Sequence, residues 1–86
     1  MELTIDQALI HGEKAHKEGH FEEAERLYRA ILEAIPTHAA ANHNMGLLAM
    51  MRQQPNEALV FFKGALEKDP STEQFWTSLI ECFVEL

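Results

Sequence analysis

The sequence predicts an all-α fold: five helices arranged as antiparallel hairpins stacked side by side. Three observations carry this. First, the chain repeats itself with a period of 34 residues. Gly12 answers Gly46, Ala15 answers Ala49, Ala24 answers Ala58, Tyr28 answers Phe62 and Pro36 answers Pro70. A fixed period of this size marks a stacked helical repeat. Second, apolar residues recur at helical spacing between recognisable starts and stops, and no stretch alternates as a strand would. Third, the segments between helices are only a few residues long, which forces neighbouring helices antiparallel.

The first helix starts at Thr4-Ile5-Asp6-Gln7, where Thr4 and Gln7 have the spacing of a capping box. Asp6 lies in the first turn, where the helix dipole favours negative charge. Ile5, Ala8, Leu9, Gly12 and Ala15 form its apolar stripe, and Gly19 stops it. The second helix runs from about Phe21 to Ala34, with Phe21, Ala24, Leu27, Tyr28, Ile31, Leu32 and Ile35 forming its apolar stripe. Glu22 with Arg26 and Glu25 with Arg29 are i,i+4 pairs on its wet side. Pro36 closes it, because the residue before proline is driven out of helical geometry.

A third helix is expected from about Thr37 to Arg52, with Ala40, Ala41, Met45, Leu48 and Ala49 facing inward. Gln53-Gln54-Pro55 makes the next turn. A left-handed Gln53, in the place that Gly19 holds in the first copy, would cost roughly 1–2 kcal/mol. The fourth helix spans about Asn56 to Lys68 and ends at Asp69-Pro70. Ser71-Thr72-Glu73-Gln74 has the form of a second capping box. It opens a fifth helix, Glu73 to Leu86, that carries Phe75, Trp76, Leu79, Ile80, Phe83 and Val84.

Composition narrows the function. The chain has 86 residues, enough for one small domain with a thin core. Apolar residues make up 47%, too many for a disordered chain. Fourteen acidic side chains against seven Lys and Arg argue against nucleic acid and against an anionic membrane surface, both of which need a basic face. No apolar run is long enough to span a bilayer and no signal segment opens the chain, so a soluble cytoplasmic protein is expected. The single cysteine, Cys82, excludes an internal disulfide.

The repeated positions resemble the tetratricopeptide repeat family, whose unit is a 34-residue helix–turn–helix. The small pair falls on Gly12 with Ala24 and on Gly46 with Ala58. The second-helix aromatic falls on Tyr28 and Phe62, and the closing proline on Pro36 and Pro70. Repeat one is then 5–38, repeat two 39–72, and 73–86 the first helix of a third, with Ile80 standing where the glycine would be. The resemblance implies a right-handed solenoid. At least about three such repeats are usually needed for stability, so a longer protein is expected to contain this one.

The resemblance also implies a protein–protein interaction scaffold, with first helices of successive repeats lining a concave groove for a peptide or protein segment. Asn44 is the leading contact residue, because a side-chain amide offers both donor and acceptor to a peptide bond. His43, Leu47 and Met51 are expected beside it, with Glu13 and Glu81 as flanking charge. A subtype of the family grips a carboxylate-terminated tail with lysines, an arginine and asparagines. Only Asn44 of that set has a counterpart, since Leu9, Glu13, Gln74 and Ser78 occupy the other places. Trp76, Ile80 and Phe83 on the fifth helix form an apolar patch, and homodimerisation through it is the alternative reading. Recruitment of substrate to a larger enzyme is a further one.

No enzyme, cofactor or metal is expected. Five histidines are present, and His16 and His20 have i,i+4 spacing, but Gly19 ends the helix between them and no third ligand follows in sequence. The four glycines lie at turns and helix crossings rather than in a phosphate loop, and Cys82 has no histidine near it in sequence.

Overall fold

The computed structural model describes residues 3–86. Among these the elements are five helices and no strand: α1 (Ile5–Lys17), α2 (Phe21–Ala34), α3 (Ala39–Met51), α4 (Pro55–Lys68) and α5 (Glu73–Glu85). The body measures 40 × 25 × 19 Å. Packing follows chain order: α1 lies on α2, α2 on α3, α3 on α4 and α4 on α5. In addition α3 touches α1 and α5, so it alone meets all four other helices.

The helix starts and stops have local causes. Thr4 and Gln7 form the capping box, with Gln7 N donating to Thr4 Oγ1 at 3.1 Å and Thr4 N to Gln7 Oε1 at 3.0 Å. The two hairpin turns share one geometry. His20 N donates to Ala15 O at 2.8 Å in the first, and Gln54 N to Ala49 O at 2.9 Å in the second. This six-to-one bond requires a left-handed residue just before its donor. Gly19 supplies it with φ 82° and Gln53 with φ 58°. The second turn thus reproduces the first at a position without glycine.

Three local expectations are corrected. The third helix begins at Ala39, and His38 caps it through a bond from Ala41 N to Nδ1 at 3.1 Å. At α5 the hydroxyls of Ser71 and Thr72 both donate to the Asp69 carboxylate, so Thr72 leaves the helix amides uncapped. On α2, Arg26 pairs with Glu23 at 2.6 Å instead of Glu22. The Glu25–Arg29 pair forms as expected at 2.7 Å, and Glu25 also holds Arg52 from the end of α3.

The core is built on a small-to-aromatic fit inside each hairpin. Tyr28 and Phe62 are fully buried. A Cβ on Gly12 would stand 2.7 Å from Tyr28 Cε1, and one on Gly46 would be closer still to Phe62 Cε1. Each glycine is therefore the seat of an aromatic ring, and not only the crossing partner of Ala24 or Ala58. Ala8 and Ala15 complete the face that α1 turns to α2. Asn42 and Ala49 do the same for α3 against α4.

Candidate functional site

The groove between α1 and α3 has a volume of about 610 Å³ and is lined by Ile10, Glu13, Lys14, His16, Lys17, Tyr28 and Asn44. Its polar residues converge. Asn44 Nδ2 donates to Glu13 Oε2 at 3.3 Å, and His16 Nδ1 lies 3.3 Å from the Tyr28 hydroxyl. Helix spacing puts Glu13 and His16 on one face of α1, and the glycine seat brings the Tyr28 ring under them.

Burial sets the charge state here. It pushes the Tyr28 phenol up to about 12, and the Glu13 carboxylate adds in the same direction. Burial also holds His16 below the usual histidine value, opposed by Glu13. Tyr28 is fully buried beneath the groove and Asn44 is 9% exposed, so the accessible polar groups are the half-buried His16, held towards its neutral form, and the exposed Glu13, Lys14 and Lys17. That set can donate to and accept from a peptide backbone.

The expected contact residues do not stay together. Asn44 and Glu13 share the groove. Leu47 is half-buried against the cluster of Ala49, Phe62 and Cys82, and Met51 is exposed. Glu81 lies apart, in a second cleft of about 810 Å³ that it forms with Met50, Gln53, Pro55, Val84 and Glu85.

His43 is the clear correction, because it does not reach the surface. It is 3% exposed, with Nε2 2.7 Å from the buried Ser78 Oγ. Its ring packs beside Phe75 at 4.7 Å and Phe62 at 5.5 Å between centroids. The contact of α5 with α3 encloses it. Tyr28 is the groove residue that helix-face reasoning missed, whereas His16, on the groove face of α1, is where its position places it. The signal for Tyr28 was its pairing with Gly12, which seats the ring directly beneath the groove face of α1.

Trp76, Ile80 and Phe83 are exposed on α5, at 46%, 62% and 53%, while Phe75, Ser78 and Cys82 face inward. Cys82 donates to Pro55 O at 3.2 Å, and burial raises its thiol. Among the described residues no three His, Cys, Asp or Glu side chains come together as a metal site would need. No described helix is long and apolar enough to cross a membrane.

A family model described as tetratricopeptide repeat matches residues 15–85. No curated protein matches the chain.

Proposed function

The chain belongs to the tetratricopeptide repeat family, whose members mediate protein–protein interactions and are typically non-catalytic, and from that premise we propose that it binds an extended peptide segment of a protein partner in the α1–α3 groove. The observation that carries this reading is the convergence of Glu13 and His16 on one groove, held from below by the buried Asn44 and Tyr28. Asn44, 9% exposed at the floor of the groove, holds Glu13 through its Nδ2 and so orients the carboxylate that a peptide N–H would meet. Ile10, 63% exposed, gives the rim an apolar contact for a side chain of the bound segment. Leu47 and Met51 are the proposed further contacts along α3, and Glu81 lies outside this groove. Repeats at 5–38 and 39–72, followed by the helix at 73–86, are the working units, and the cytoplasm is the proposed compartment.

The test is a panel of extended peptides titrated by fluorescence anisotropy against the wild type and Asn44→Ala. Loss of the amide should weaken every groove-bound peptide by roughly tenfold, the cost of one unpaired buried partner. Peptides that bind Asn44→Ala as tightly as wild type, or no binding by any peptide, would overturn the groove reading.

A further inference from the structure

One hydroxyl in the core has no packing reason to be there. Tyr28 and Phe62 stand at the same place in the two repeats, and both are fully buried. Each ring lies on a glycine, Gly12 or Gly46. Phenylalanine therefore satisfies the seat, and the phenolic oxygen of Tyr28 is an addition that must find partners in a dry place. The neighbour changes with it. His16 stands beside Tyr28, while Met50 holds the equivalent position in the second repeat and packs on the cluster of Phe62. Repeat one thus carries a polar pair where repeat two carries an apolar one.

The surroundings of the hydroxyl fix the direction of its proton. A buried O–H has to donate. Among the described residues His16 Nδ1, 3.3 Å away, is the acceptor within reach. Asn44 faces the same oxygen, but Nδ2 is the end it turns to Glu13, and its effect on the phenol is that of a donor. Both members of the pair are neutral near pH 7, since burial raises Tyr28 to about 12 and lowers His16. A neutral imidazole that accepts at Nδ1 carries its proton on Nε2.

That proton points outward. The imidazole is held between the rings of Phe21 and Tyr28, with centroids 5.9 Å and 6.2 Å away. No described residue bonds Nε2, and no enclosed side-chain nitrogen or oxygen among the described residues is left unpaired. Nε2 therefore opens onto the groove that His16 lines. Glu13 lies one helix turn earlier on the same face, so a donor and an acceptor stand side by side. In an extended segment the C=O and N–H of one residue project from the same edge, which is the complementary pair.

We infer, on the groove reading of the peptide site, that the buried Tyr28 hydroxyl holds His16 in the tautomer whose Nε2–H donates to a backbone carbonyl of the bound segment, with Glu13 accepting from the N–H of the same residue. Tyr28 is then a positioning residue that never touches the partner. Recognition at this point is of main chain rather than side chain, and a proline of the partner is excluded there because it has no N–H.

The first readout needs no ligand. Long-range proton–nitrogen NMR spectra of the full chain at pH 8 should show His16 with Nε2 protonated and Nδ1 bare. Tyr28→Phe, which repeats the ring already seated at Phe62, should bring the two nitrogen shifts closer together as the other tautomer becomes populated. A protonated Nδ1 in the wild type overturns the proposal, and so do unchanged shifts in the variant.

The second readout uses the extended peptides that bind the groove. His16→Met with Tyr28→Phe, which copies the apolar pair of repeat two, should weaken them by roughly fivefold, the worth of one ordinary hydrogen bond. His16→Gln with Tyr28→Phe offers an amide N–H near the lost Nε2–H and should recover most of that. Loss without recovery would make His16 a packing residue and sink the proposal. Undiminished binding by the methionine variant overturns it while leaving the groove reading intact. Failure of every peptide to bind the wild type overturns both, whatever the tautomer.

Discussion

His43 and Ser78 lie 35 residues apart in sequence and meet through an imidazole-to-hydroxyl hydrogen bond of 2.7 Å that ties α3 to α5. The bond is enclosed by Phe62 of α4 and Phe75 of α5. Burial lowers the His43 pKa, opposed by the neighbouring Asn44 side chain. The neutral ring is therefore the native one.

The sign of the pH dependence follows. A histidine whose folded pKa lies below its unfolded value of about 6.5 binds fewer protons in the folded state. Its contribution is complete above pH 6.5 and is lost as pH falls from there toward the folded value. Urea unfolding between pH 8 and pH 5 should show stability falling on the acid side, with a slope of at most about 1.4 kcal/mol per pH unit from this group. His16, lowered by burial as well, adds in the same sense. The double variant His43→Phe with Ser78→Ala removes both partners and should flatten part of that slope. An unchanged slope would assign it to other groups.

Gly46→Ala should destabilise, although alanine is the better helix former by about 1 kcal/mol. The new methyl would collide with the fully buried Phe62 ring. A net loss of about 1–3 kcal/mol is expected from overpacking. Thermal melts of Gly46→Ala, and of Gly46→Ala with Phe62→Leu, check this, because trimming the ring should restore much of the loss. A stabilised Gly46→Ala would mean that the ring can shift.

The two hairpin turns allow a reciprocal experiment. Gln53 is left-handed at φ 58°, and Gln53→Gly should raise stability by about 1 kcal/mol through relief of that conformation. Gly19→Ala should lower it by a similar amount, with no steric part, since nothing lies within 4 Å of the added carbon. For a domain of this size each change corresponds to about 4–8 °C in melting temperature. Equal and opposite shifts would show that the turns are interchangeable.

Most of the fold was legible because its rules are local or periodic. The Thr4 cap, the proline stops and the Gly12–Tyr28 and Gly46–Phe62 pairs depend on residues within one hairpin. The site was less legible because it depends on what lies between hairpins. His43 reads as a groove residue when α3 is given only one partner, but α3 meets four helices and its Asn42–His43–Asn44 run is enclosed. Asp69 shows the same limit on a smaller scale. Ser71 and Thr72 have a capping pattern, yet a nearby carboxylate takes both hydroxyls, and their bonds hold Asp69 below the usual carboxylate range.

The chain-order packing also fixes how the molecule comes apart. Neither α1 nor α2 touches α4 or α5. Opening therefore proceeds from either edge without breaking the opposite hairpin, as in a one-dimensional array. Amide protons of α3, held from all sides, should be the last to exchange with solvent, and those of the outer helices should exchange through partial opening. Contacts confined to sequence neighbours also shorten the loops that must close first, so folding should be fast and able to begin at either hairpin.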